Sequence, residues 1–215
     1  MVDISAVRAE STLEEVKEIA DAAKKYGFIC AFALPSFTGY LKKELEGANG
    51  VMLGGVVGFP SGSETTTAKV FQAMELKNAG CNEIDMVINI GMLKSGLDSE
   101  VIKDIRSVKE AVSPLPLKVI LEVPLLTDEE IVKGALIVRD AGADFVKTGT
   151  GWAGTTTYHH VELIKNAIGE TIKLKVAGGV RDLETLTKMH MMGVSRFGIG
   201  YKSAISIMKE IEAFK

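Results

Sequence analysis

Cysteine is scarce: Cys30 and Cys81 are the two in a chain of 215 residues, and they stand far apart. That excludes a disulfide scaffold and the close cysteine spacings of zinc or redox sites. Histidine is little better represented. His159 and His160 adjoin and so diverge on a helix, and His190 lies alone in another, so all three are expected to be solvated or packed. Metal ligation has little support here. Excess charge is also missing: 25 Lys and Arg against 28 Asp and Glu leave a formal net charge of −3, which offers no basic footprint for nucleic acid. No long charge-free apolar run suggests a membrane span. Met1 to Glu10 lacks the cationic start and apolar core of a signal peptide. No serine sits in a G-x-S-x-G nucleophile elbow. The expectation is a reduced, cytoplasmic, globular protein with neither a membrane nor a nucleic acid as partner.

What is present points to a large core. A hydrophobic fraction of 47% argues against disorder, and the length suits one domain spanning residues 1–215. Strand-like and helix-like segments alternate. Ser11-Thr12-Leu13-Glu14 reads as a capping box before a helix that Gly27 ends. Phe28 to Leu34 reads as a buried strand, Thr38 to Glu46 as a helix, and Val51 to Phe59 as a strand. A helix runs from Ser63-Glu64-Thr65-Thr66 to Gly80, and Glu83 to Ile90 is a strand. Asp98 to Val112 is a helix and Leu117 to Val123 a strand. Thr127-Asp128-Glu129-Glu130 is another capping box, opening a helix that closes near Gly142. The strand Asp144 to Thr148 follows, then a helix from Thr157 to Ile168 and the strand around Lys175. Asp182 to Met192 is a helix, Ser195 to Ile199 a strand, and Ser203 to Phe214 the last helix. Seven clear βα units, with a short strand near Asp3-Ile4-Ser5 as an eighth, predict a single-domain (β/α)₈ TIM barrel rather than an open doubly wound sheet. Either fold places ligands at the C-terminal strand ends.

Two lysines carry the chemistry. Lys147 sits near the end of the strand in Gly142-Ala143-Asp144-Phe145-Val146-Lys147-Thr148, and Lys175 near the end of Lys173-Leu174-Lys175-Val176-Ala177. A buried lysine is costly without a partner or a task. On neighbouring strands about 5 Å apart, two ammonium groups repel, and one is expected to lose its proton near neutral pH. The product is an amine nucleophile for a carbonyl carbon. Strand alternation turns Ile84, Met86, Ile88 and Ile90 toward the helices and Glu83, Asp85, Val87 and Asn89 inward. An inward Asp85 needs a cation, either to hold the barrel together or to move protons. Lys173 shares a face with Lys175 but lies lower, as a bottom or surface partner.

Glycine turns follow three successive strands. Gly149-Thr150-Gly151-Trp152-Ala153-Gly154 matches G-x-G-x-x-G, yet the dinucleotide fingerprint belongs to a first βα unit. A turn that lets a small polar ligand approach the backbone is the better reading. Gly178-Gly179 and Gly198-Ile199-Gly200 add backbone donors able to cradle a phosphate.

Val57-Gly58-Phe59-Pro60, Glu83 to Gly91, Gly142 to Thr148 and Ala177-Gly178-Gly179-Val180-Arg181 resemble the deoxyribose-phosphate aldolase family, in order and with fitting spacings from about Ala20 to Ile207. The resemblance implies a class I aldolase on a (β/α)₈ barrel, needing no metal or other cofactor, that reversibly joins acetaldehyde to glyceraldehyde 3-phosphate. It implies Lys147 as the Schiff-base lysine, Lys175 as the second lysine that perturbs it, and Asp85 as an acid/base carboxylate working through a water. Thr148, Gly151, Gly178, Gly179, Gly198 and Gly200 become candidates for holding the sugar phosphate. A homodimer or homotetramer is implied too. The chain departs from the family pattern after the lysine, with Thr148-Gly149-Thr150-Gly151. It departs again in the last strand, where Arg196-Phe197-Gly198 is followed by Ile199-Gly200-Tyr201 without the usual serines, and near the start, where D-x-T appears as Asp3-Ile4-Ser5. The tail of longer members, with its functional tyrosine, has no counterpart before Lys215. A related class I aldolase for another sugar and a sugar-phosphate-binding barrel without catalysis are the competing readings.

Overall fold

The alternation closes on itself. The computed structural model describes residues 1–213 and holds eight parallel strands: β1 Val2–Ala6, β2 Cys30–Ala33, β3 Met52–Val57, β4 Glu83–Val87, β5 Leu117–Ile120, β6 Phe145–Lys147, β7 Lys173–Ala177 and β8 Arg196–Gly200. Each pairs with the next in chain order, and β8 pairs with β1 from Val2 opposite Phe197 to Ser5 opposite Gly200. The short N-terminal segment is therefore the strand that closes the barrel, and an open sheet is ruled out. Around it stand α1 Leu13–Tyr26, α2 Thr38–Glu44, α3 Thr66–Ala79, α4 Ile90–Lys94, α5 Asp98–Val112, α6 Asp128–Asp140, α7 Tyr158–Ile168, α8 Leu183–Met191 and α9 Tyr201–Ala213. The last helix begins two residues before the expected Ser203, and Phe214 lies outside the described residues.

Local chemistry sets the ends. Thr127 and Glu130 form the expected capping box of α6. The box of α1 sits one residue later than the sequence suggests, on Thr12 and Glu15, because the Ser11 hydroxyl instead accepts the Arg8 amide at 3.1 Å. Gly27 and Gly80 end α1 and α3 in the left-handed conformation. Strand β4 stops at Val87, short of the expected Ile90. Asn89 leaves the strand and caps α4 by accepting the Met92 amide at 3.0 Å.

Alternation along each strand sorts two cores. Ile84 and Met86 of β4, Leu117 and Val119 of β5, and Leu174 and Val176 of β7 are fully buried against the helix layer. Each such side chain contributes about 1.5–3 kcal/mol by leaving water. The opposite faces fill the barrel. A small apolar group there, Cys30, Phe32 and Val56, leaves much of the interior to charged side chains. Gly54 is required beside it, since a Cβ at that position would lie 2.3 Å from the Phe32 ring. Both cysteines are free and buried.

Candidate active site

Strand register brings the predicted residues together. Lys147 on β6 lies directly opposite Lys175 on β7, and Asp85 on β4 directly opposite Lys118 on β5. The Asp85 carboxylate reaches across the interior to both lysines of the first pair. Lys147 Nζ and Lys175 Nζ each donate to Asp85 Oδ2 at 2.7 Å. The other oxygen, Oδ1, accepts from Lys118 Nζ at 3.1 Å. Lys175 also contacts Asp3 Oδ2 at 2.8 Å, while Arg196 pairs with Asp3 Oδ1 at 2.6 Å and with Glu83 at 3.5 Å. Lys118 completes the ring by pairing with Glu83. Asp3 Oδ2 and Glu83 Oε1 make these contacts as ion pairs rather than as aligned hydrogen bonds.

The network holds Asp3, Glu83 and Asp85 against Lys118, Lys147, Lys175 and Arg196. With one more basic than acidic group in a poorly solvated interior, the charges balance when one amine is neutral. Burial singles out Lys147 by lowering its pKa to about 8; Asp85 opposes this, and the charges of Lys175 and Lys118 reinforce it. The sequence suggested burial and a neighbouring cation as joint causes, and of the two desolvation is the larger effect. Burial also acts against charge on Lys175, but Asp3, ahead of Asp85 and Glu83, raises its pKa above the usual lysine value. Burial would push the Asp85 carboxyl up, yet Lys118, Lys147 and Lys175 together hold it well below the usual carboxylate range. An amine that gives up its proton readily and an ammonium that keeps its own thus share one oxygen of an ionised carboxylate.

Above them lies a cavity of about 580 Å³ at the C-terminal strand ends. Lys147 and Lys175 form part of its floor, and Gly151, Gly178, Gly179, Gly198 and Gly200 line it, as do Arg181, Lys202 and Ser203. Gly178 and Gly179 take φ of 84° and 99°, and a Cβ on Gly179 would lie 2.1 Å from Thr155 Cγ2. Two expected residues stand elsewhere. Asp85 lies beneath the floor, wholly buried, and reaches the cavity only through the lysines. Thr148 is also buried: its hydroxyl donates to the Ala177 carbonyl at 3.0 Å and accepts from Thr156 Oγ1 and the Ala177 amide, so no part of it faces the cavity. Trp152 closes one side, edge-on to Phe59 with ring centroids 5.9 Å apart. Lys173, as expected, is exposed at the start of β7.

Lys118, Asp3 and Arg196 were not singled out from sequence. Lys118 was legible: in Leu117-Lys118-Val119-Ile120 the alternation that turned Asp85 inward turns this lysine inward too.

The chain matches the family model described as DeoC/LacD family aldolase over residues 2–201. It is 45% identical to the deoxyribose-phosphate aldolase of Sinorhizobium medicae, over 99% of this chain and 86% of that one. It is 41% identical to that of Klebsiella pneumoniae, over the same shares of the two chains. Among solved structures, an aldolase named QR15 superposes with a TM-score of 0.91 at 34% identity, covering 98% of this chain and 94% of the other. The deoxyribose phosphate aldolase of Aeropyrum pernix, described as a unique tetramer, superposes with a TM-score of 0.87 at 26% identity, over 100% and 90% of the two chains.

Proposed function

The chain belongs to the DeoC/LacD family of aldolases, and from that premise we propose that it is a class I deoxyribose-phosphate aldolase. It reversibly cleaves 2-deoxy-D-ribose 5-phosphate to acetaldehyde and D-glyceraldehyde 3-phosphate through a Schiff base on Lys147. One observation carries the assignment of the nucleophile: a lysine lowered to about pKa 8 by burial opens onto the cavity while its partner ammonium stays charged.

The neutral Lys147 amine attacks the C1 aldehyde carbon, and loss of water gives a protonated imine. The C2–C3 bond breaks, its electron pair moving into the imine to form an enamine, as the C3 hydroxyl gives up its proton. Glyceraldehyde 3-phosphate leaves with C3 as its aldehyde. Protonation of the enamine carbon and addition of water release acetaldehyde and the free amine. Lys175 and Asp85 handle these protons, Lys175 from the cavity floor and Asp85 through it or through a water. The phosphate is held by backbone donors of Gly178, Gly179, Gly198 and Gly200 near the start of α9, with Arg181 and Lys202 supplying charge. This arrangement suits a last strand that lacks the family's serines.

Residues 1–215 work as one aldolase domain on small-molecule substrates, as a homodimer or homotetramer, in the cytoplasm. No helix among the described residues is long and apolar enough to cross a membrane. Turnover of 2-deoxyribose 5-phosphate against a panel of other sugars and sugar phosphates tests the substrate. Preference for this substrate supports the assignment. A higher kcat/KM for another sugar would move the chain to the related-aldolase reading, which the Gly198-Ile199-Gly200-Tyr201 departure favours.

A further inference from the structure

Glu122 is the one residue other than glycine that takes a positive φ among the described residues, with φ 59° and ψ 57°. Side-chain-bearing residues seldom adopt this conformation unless surrounding contacts hold them there, and such outliers gather at functional sites. Glu122 lies two residues past the end of β5 and is almost fully buried, yet its carboxylate takes no part in the interior ion network. It turns instead to the loop after β6. Both its oxygens lie 3.2 Å from the Thr150 amide, and Oε2 also accepts the Thr150 hydroxyl. Thr150 Oγ1 accepts the Trp152 amide at 3.0 Å, so the clamp extends to the aromatic side of the cavity. Burial pushes the Glu122 carboxyl up while these two hydrogen bonds oppose the shift. Between Lys147 and Thr150, a Cβ on Gly149 would approach Glu122 Oε1 to 3.0 Å. Thr150 itself lines the cavity.

We propose that Glu122 is a positioning residue for the cleavage step, holding Thr150 and the turn that follows Lys147 as the wall against which the sugar is oriented. The role rests on the aldolase reading and is additional to Lys147, Lys175 and Asp85. It acts through Thr150, so it affects a substrate long enough to touch that wall more than it affects a two-carbon aldehyde meeting Lys147 alone. Misplacement by about 1 Å is enough to cost on the order of a hundredfold in rate.

The test uses the full chain with Glu122→Gly, Glu122→Gln and Thr150→Val. Glycine accepts this backbone without strain, so Glu122→Gly removes the carboxylate and keeps the turn available. Glu122→Gln keeps the shape and one acceptor oxygen. The expected result is a loss of tenfold or more in kcat/KM for cleavage with Glu122→Gly, mainly in kcat, and partial recovery with Glu122→Gln. Borohydride trapping of acetaldehyde on Lys147 should stay within about twofold of the unaltered enzyme, following the shorter reach of that aldehyde. In the Thr150→Val background, adding Glu122→Gly should cost little more, since neighbours acting as one unit are not additive. Should Glu122→Gly fail to fold, Glu122→Gln and Thr150→Val still decide: parallel losses in cleavage with trapping retained support the role. Folded variants with unchanged cleavage overturn it, as does an equal loss of trapping and cleavage. Absence of a trapped adduct in the unaltered protein would instead sink the aldolase reading beneath it.

Discussion

Replacing Lys175 by methionine separates two roles that the geometry gives it. Lys147 and Lys175 both contact Asp85 Oδ2 at 2.7 Å, so their nitrogens are at most twice 2.7 Å, about 5.4 Å, apart. At an effective dielectric constant of about 20, their repulsion is roughly 3 kcal/mol, or about two pKa units on Lys147. Removing the Lys175 charge also leaves Asp85 Oδ2 to Lys147 alone, which acts in the same direction, while Lys118 keeps Oδ1. The Lys147 pKa of about 8 is then expected to rise to about 10. A higher amine pKa means less neutral nucleophile at a given pH. At pH 7 the neutral fraction falls from roughly a tenth to roughly a thousandth, about a hundredfold. The assay is kcat/KM for cleavage against pH, with the rate of borohydride trapping by acetaldehyde measured over the same range. Lys175→Met should move the acid limb of both profiles upward by about two units, and Lys175→Arg, which keeps a charge, should leave the limb near its place. A proton-transfer role alone lowers the plateau without moving the limb. An unmoved limb in Lys175→Met would refute the electrostatic argument.

Two further perturbations follow from the same network. Asp85→Asn removes the carboxylate beneath three lysines, leaving buried charge uncompensated at a cost of about 3–5 kcal/mol, or roughly 6–20 °C in Tm for a chain of this size; a change under 2 °C would contradict the pairing. The folded Asp85 carboxyl lies below its unfolded value, so its stabilisation is present above about pH 4 and lost as pH falls through the folded value. The variant should lack that part of the acid-induced loss in stability, measured by urea unfolding from pH 6 to 3. Gly179→Ala places a Cβ against Thr155 in a left-handed turn. It should raise KM for the phosphorylated substrate tenfold or more while acetaldehyde trapping persists, and an unchanged KM would remove that turn from the phosphate site.

The barrel was legible because each signal repeats. Gly27, Gly80 and Gly193 punctuate helices, the strand at Lys175 alternates in side-chain character, and the spacing of units leaves room for eight. The inward placement of Asp85, Lys147 and Lys175 was legible because a charged residue on the inner face of an apolar strand needs an answering charge. Their meeting at one carboxylate oxygen depends on register across β4 to β7, which no local pattern encodes. Thr148 was misplaced for a related reason: adjacency to Lys147 in sequence says nothing of the pleat that turns its hydroxyl toward Ala177. Glu122 was hidden altogether, since Leu117 to Val123 reads as unbroken strand and its left-handed backbone has no glycine to announce it.

Borohydride trapping with acetaldehyde, followed by peptide mass analysis, tests the central claim most directly. The account predicts one reduced two-carbon adduct per chain, carried on Lys147, with the rate of trapping rising through about pH 8 as the amine loses its proton. An adduct confined to Lys175, or no adduct where the protein cleaves its sugar phosphate, would contradict it.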